Sequence, residues 1–144
     1  MYDIIIIGAG TAGIAAYQEA IRHTQNILIV NEGPWDTTCA RVGCMPSKVL
    51  ISIANRMHNI VHADELSLNV NAKIDTRNAM AHVRTLRDRF TGATLKQVEQ
   101  WPEHHKLSGK AQFTSPNCIE VNGQPYQAKN FIIAVGSTPT IRTD

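Results

Sequence analysis

The sequence predicts an α/β fold, a parallel sheet with helices packed on it and a small antiparallel β-meander in the second half. Three observations carry this. A short β-rich run from Asp3 to Ile7 passes directly into Gly8-Ala9-Gly10-Thr11-Ala12-Gly13 and then into an Ala-rich helical stretch reaching about His23. Ile27 to Val30 is a second uninterrupted apolar run, as a parallel strand covered on both faces requires. The Asn122-Gly123 dipeptide marks a hairpin between short apolar runs.

Strand, tight turn, helix and second strand make one βαβ unit up to Asn31. Gly33, Pro34, Asp36 and the threonines to Thr38 are loop chemistry. Pro46 and the spacing of Val49, Leu50, Ile53, Met57 and Ile60 then predict a helix, with Cys39 and Cys44 at its entrance. Asp75 is placed to cap a further helix bearing Met80, Val83 and Leu86, weakened by Gly92, and Pro102 ends the helical region. These helices are expected as a layer on the sheet. Leu107 to Thr114 and Cys118 to Val121 read as short antiparallel strands, and Phe131 to Val135 as the last buried strand, leading into Gly136-Ser137-Thr138-Pro139.

A chain of 144 residues that is 43% hydrophobic can bury one core. Fourteen basic against twelve acidic side chains, without a Lys/Arg run, do not point to nucleic acid or to an anionic membrane surface. The longest aliphatic run, Ile4 to Ile7, is too short to span a bilayer, and nothing near Met1 resembles a signal peptide. The expectation is a soluble, cytoplasmic protein. Three cysteines are too few for a disulfide framework, so in a reducing compartment a close pair is catalytic or metal-binding. Zinc would need about four ligands. No second Cys/His cluster supplies them, and His58 and His62 read as the polar face of a helix, so no metal site is expected.

Gly8, Gly10 and Gly13 form G-x-G-x-x-G between a strand and a helix, the context that gives the pattern meaning and makes the domain Rossmann-like. The first glycine permits the turn, the second lets a pyrophosphate approach, and the third lets helix and strand pack closely. The free N–H groups at the helix start favour the anion. The motif does not separate FAD from NAD. An acidic residue normally closes the second strand to accept the ribose hydroxyl hydrogens. Counting along the strand puts Asn31 there, with Glu32 one place later; either Asn31 makes a neutral bond or the strand end shifts so that Glu32 takes the role.

Cys39 and Cys44 are five positions apart, which on an ideal helix exceeds the disulfide limit of about 7 Å between Cα atoms. A bond therefore requires a distorted turn, for which Gly43 and Pro46 are suited. A strained or exposed disulfide is readily reduced, which serves exchange and not stability. Cys118, in an expected strand, reads as a buried small hydrophobe.

Thr38-Cys39-Ala-Arg-Val-Gly-Cys44-Met-Pro46-Ser47-Lys48 closely resembles the signature of class I pyridine nucleotide-disulfide oxidoreductases, and among them the dihydrolipoamide dehydrogenases most nearly. Tyr2 to Gly13 resembles the family's FAD turn, Gly109-Lys110-Ala111 its adenine-contacting strand, and Ala134-Val135-Gly136-Ser137 its closing strand. Asn31 at the usual acidic position and Asp36-Thr37 in place of Gly-Gly depart from the pattern. The resemblance implies that Cys39 is the thiol that exchanges with substrate and Cys44 the one that exchanges electrons with the flavin. Lys48 would lie near the reactive ring, and Thr38, Lys110, Ala111 and Ser137 would complete the FAD contacts. It further implies that residues 1–144 are the N-terminal part of the FAD-binding domain of a homodimeric enzyme, whose NAD and dimerisation domains these residues do not contain. The reaction would join NAD(P), FAD, the cysteine pair and a dithiol or disulfide substrate such as lipoamide; glutathione and mercuric reductases are the alternatives within the family, and a non-catalytic flavin-binding or redox-sensing module the alternative outside it. In the family an interface domain supplies an acid–base His, and none of the six histidines here lies in a matching segment, so these residues alone are expected not to turn over.

Overall fold

The computed structural model describes residues 1–138 and 140–142, so Pro139, expected in the final loop, lies outside the described residues. The chain divides into two compact units. One comprises Met1–Thr37 and the residues from Leu95 onward, the other Thr38–Thr94.

In the first, the sheet unit, β1 (Tyr2–Ile7), α1 (Thr11–Ala20) and β2 (Ile27–Asn31) form the expected βαβ start. They are joined by β3 (Lys106–Ser108), β4 (Gln112–Ser115), β5 (Cys118–Val121) and β6 (Gln124–Ile133) in one six-stranded sheet of order β3-β2-β1-β6-β5-β4. β1 is parallel to β2 and β6, and β2 is parallel to β3. β4, β5 and the first residues of β6 form the antiparallel meander.

The unbroken apolar character of β1 and β2 has a direct cause, because both faces are covered. Ile6, Ile27 and Ile29 pack with Ile14 and Tyr17 of α1 and with Val98 and Trp101. Ile5, Leu28 and Val30 point the other way, into Ile119, Val121 and Ala128 of the meander. Each of the fully buried isoleucines Ile5, Ile6, Ile27 and Ile29 contributes about 1.5–3 kcal/mol by leaving water.

Three sequence expectations are corrected. Leu107–Thr114 is not one antiparallel strand. It divides into β3, parallel to β2, and β4, antiparallel to β5, because Gly109 takes φ +156° and donates its N–H to the Asn31 carbonyl at 2.9 Å, turning the chain between them. Gly109-Lys110-Ala111 is accordingly a link and not a strand. The final strand begins at Gln124 and ends at Ile133, with Ile133 and Val135 exposed, because pairing with β1 runs out where β1 enters its glycine turn. Helix α1 closes at Ala20, and His23 belongs to the following turn. The hairpin forms as read: Asn122 (φ 53°) and Gly123 (φ 76°) make a two-residue loop between Val121 and its partner Gln124.

The second, helical unit contains α2 (Thr38–Arg41), α3 (Cys44–Val61), a 3₁₀ turn (Ala63–Leu66) and most of α4 (Thr76–Glu99). The Asp75 carboxylate accepts the Asn78 N–H at 3.0 Å, capping α4 as expected. Gly92 lies within α4 without interrupting it; its propensity deficit of about 1 kcal/mol is too small to break a helix this long.

Trp101 stacks on Tyr17 with ring centroids 3.9 Å apart, and the Tyr17 hydroxyl is hydrogen-bonded to His105 Nδ1 at 2.7 Å. His105 is 1% exposed, and burial, with a smaller push from the charge of His104, holds its pKa below the ordinary 6.5. A base with a depressed folded pKa is protonated first in the unfolded state, so its contribution to stability is present above the ordinary value and lost as pH falls below it. The melting temperature is expected to fall between about pH 7.5 and about pH 5.5, and to do so less steeply in His105→Phe. Equal slopes in the two proteins would remove His105 from this role.

Candidate functional site

The glycine turn is built by backbone contacts that exclude side chains. Gly8 takes φ +105°, and a Cβ there would collide with the Ala134 carbonyl oxygen. At Gly13 a Cβ would run into the Gly8 carbonyl oxygen, so this glycine sets how closely α1 approaches β1. Gly10 is different: it is extended (φ −80°, ψ −167°), and apart from its chain neighbours no heavy atom lies within 4 Å of where its Cβ would be. Packing does not demand glycine there. Open space against bare backbone at the start of a helix that no side chain caps is what an approaching diphosphate requires.

Beside the turn is a cavity of about 390 Å³, within the range of small-molecule sites. It brings together Gly8, Asn31, Glu32, Lys110 and Ala111 from the residues singled out in the sequence. Apolar Ile7, Val30 and Val135 supply walls, with Gly33 and Gly109. These additional residues have no motif of their own; they are there because β1, β2 and β6 end at one edge of the sheet, the usual place for a ligand in a parallel α/β fold. Asn31 is half-buried and its amide is engaged by Ala9, Gly33 and Pro34, whereas Glu32 is exposed. Ser137 is exposed and does not line the cavity. A second cavity of about 310 Å³, between Trp35, Leu95, Val98 and Lys106, contains none of the residues singled out.

In the helical unit the two cysteines lie on separate helical segments. Cys39 is on α2 and Cys44 opens α3, with Val42 and Gly43 between; Gly43 leaves helical geometry at φ −121°, ψ −114°. A Cβ on Gly43 would sit 3.1 Å from the Thr38 carbonyl oxygen, so a small residue is favoured at the break. The break replaces the continuous helix that would have kept the sulfurs apart. Both cysteines are thiols, Cys39 half-buried and Cys44 exposed. The Cys39 pKa is raised, first by its hydrogen bond with the Cys44 side chain, then by burial and by the charge of Cys44, while the backbone N–H groups of Cys44 and Met45 pull the other way. The start of α3 thus directs two donors at the Cys39 sulfur. Lys48 is exposed, on a groove between α3 and α4 that also presents Arg56, His82 and Phe90. Thr38 is exposed at the start of α2. Cys118 is half-buried in β5, less enclosed than expected. Among the described residues no group of three or more His, Cys, Asp or Glu side chains could hold a metal, and no helix is long and apolar enough to cross a membrane.

The family model for pyridine nucleotide-disulphide oxidoreductase matches residues 2–143. The chain belongs to that family. It is similar to the dihydrolipoyl dehydrogenase of Mycoplasma genitalium, 31% identical over 99% of this chain and 31% of the relative, and to that of Thermus scotoductus, 34% identical over 96% and 30%. It is also similar to the mercuric reductase of Lysinibacillus sphaericus, 28% identical over 97% and 26%. A solved HOCl-induced flavoprotein disulfide reductase, RclA from Escherichia coli, shares the fold at a TM-score of 0.74 and 17% identity, over 99% of this chain and 30% of that one. The chain therefore spans about 31% of the length of the curated relative from Mycoplasma genitalium. These matches make it a member of an oxidoreductase family that binds FAD through a Rossmann-type domain.

Mild oxidation of the purified chain is expected to join Cys39 to Cys44 and leave Cys118 free, read by peptide mapping with mass spectrometry. Pairing of Cys118 with either partner would show that proximity across the Val42-Gly43 break does not govern the thiol chemistry.

Proposed function

We propose that this chain is the FAD-binding N-terminal part of a flavoprotein disulfide oxidoreductase of the dihydrolipoamide dehydrogenase kind, with Cys39 and Cys44 as its redox pair. The reading is carried by two thiols brought together across a helix break, in a chain that also has an uncapped glycine turn beside a cavity of about 390 Å³. The residues present fit FAD. The turn offers bare backbone at Gly10 for the diphosphate, the apolar walls suit the adenine, and Lys110 and Glu32 bring opposite charges to the rim.

When bound, FAD supplies two-electron transfer between a dithiol and a nicotinamide. The chain's own contribution is thiol exchange. In the oxidising direction a dihydrolipoamide thiolate attacks the Cys39 sulfur of a Cys39–Cys44 disulfide, forming a mixed disulfide and releasing the Cys44 thiolate. The second substrate thiolate then attacks its own mixed-disulfide sulfur, closing lipoamide and releasing Cys39. Substrate loses two electrons and two protons, and the cysteine pair gains two electrons. With FAD and NAD bound, both electrons and one of those protons would leave as the equivalent of a hydride, and the other proton would go to solvent. The N–H groups of Cys44 and Met45 hold charge at Cys39 as it leaves. Mercuric reduction is the second reading, favoured by the relatives of that name at 28% identity.

Titration of the purified chain with FAD should change flavin fluorescence, and Gly10→Val should weaken binding by about tenfold or more without altering the circular dichroism, since a Cβ there enters open space that a diphosphate would need. Anaerobic dihydrolipoamide should bleach the bound flavin only when both cysteines are present. A chain that retains no FAD and merely oxidises its thiols slowly would favour a redox sensor instead.

A further inference from the structure

Asn31 closes β2, and its side chain bonds three backbone groups. Its Oδ1 accepts the Ala9 N–H of the glycine turn at 3.0 Å, and its Nδ2 donates to the carbonyls of Gly33 at 2.8 Å and Pro34 at 3.1 Å. The partners decide which end of the amide is which, since an N–H needs an acceptor and two carbonyls need donors. Both amide hydrogens and one oxygen lone pair are therefore in use. The Asn31 backbone carbonyl accepts the Gly109 N–H at 2.9 Å. One strand-end residue thus ties together the glycine turn, the loop after β2 and the link between β3 and β4, which all contribute walls to the cavity.

We infer that Asn31 is a positioning residue that preforms this cavity, and that the sugar hydroxyls of the dinucleotide are bound by Glu32. The inference rests on the FAD reading above. Glu32 is the only carboxylate among the described residues that line the cavity. An ionised carboxylate accepts two hydroxyl hydrogens with charge-assisted strength, whereas Asn31 has one neutral lone pair left. A carboxylate in place of the Asn31 amide would keep the Ala9 contact but turn an oxygen toward the Gly33 and Pro34 carbonyls, acceptor against acceptor, at a half-buried position. Strand-end position and hydroxyl recognition are therefore divided between two neighbouring residues.

The test uses Asn31→Asp and Glu32→Gln in the same chain, with FAD, adenosine diphosphate and its dideoxyribose analogue as probes. The unaltered chain should prefer adenosine diphosphate to the analogue by about tenfold. Glu32→Gln should lose most of that preference. Asn31→Asp should keep the preference while binding both probes about tenfold more weakly, and should recover as pH is lowered, because a protonated carboxyl regains a donor for the Gly33 carbonyl. A merely structural defect would show no such recovery. Tighter binding or a larger preference in Asn31→Asp would overturn the inference by putting the hydroxyl contact at position 31, as would an unchanged preference in Glu32→Gln. If the unaltered chain binds neither FAD nor adenosine diphosphate, the FAD reading and the Glu32 assignment fall together. The positioning role is then judged on the melting temperature without ligand, which Asn31→Asp should lower and which, if unchanged, would overturn it.

Discussion

The sheet unit depends on one contact between two stretches of backbone, the Gly8 carbonyl against the Cα of Gly13. It sets how closely α1 approaches the end of β1, and so lets Ile14 and Tyr17 reach the isoleucines on one face of the sheet. It also leaves α1 to begin without a side-chain cap, facing the edge where β1, β2 and β6 end. A methyl group at Gly13 would push helix from strand, and one at Gly8 would drive the turn against the Ala134 carbonyl. Fold and ligand site therefore share the same few atoms, and Gly10 is the one glycine of the three whose reason is not packing.

The thiol segment obeys a different constraint. Two sulfurs five residues apart meet only if the helix is interrupted, and the interruption must still satisfy the backbone around it. Here the Val42 N–H is donated to the Thr38 carbonyl at 3.0 Å, and the Ser47 N–H to the Gly43 carbonyl at 3.3 Å. The same break allows α3 to begin at Cys44 and to aim its first donors back at Cys39. Contact with Cys44 raises the Cys39 pKa more than those donors lower it.

Much of this was legible from residue order, because the signals are local. The strand-turn-helix at the start, the Asn122-Gly123 hairpin, the Asp75 cap and the need for a distorted turn between the cysteines each come from the allowed conformations of a few neighbouring residues. The division of Leu107–Thr114 was not legible. The two halves have similar composition, and only pairing with β2 on one side and β5 on the other distinguishes them. Nor was the exposure of Ile133 and Val135, since an apolar strand looks the same whether or not something covers it.

Residue order alone supplies the chemistry on offer: a glycine turn able to accept a diphosphate, two thiols at a spacing that needs a helix break, and a family signature across the chain. Those depend on residue type and short-range sterics, which neighbours in the chain dictate. Which side chains meet is a property of the assembled sheet. Asn31 and Glu32 are adjacent in sequence and equally eligible for a ligand, yet the amide of Asn31 is engaged by Ala9, Gly33 and Pro34 while Glu32 is left at the rim. The cause is that a hydrogen bond between residue 31 and residue 9 exists only once β1 and β2 lie side by side, and residue order does not contain that pairing's register.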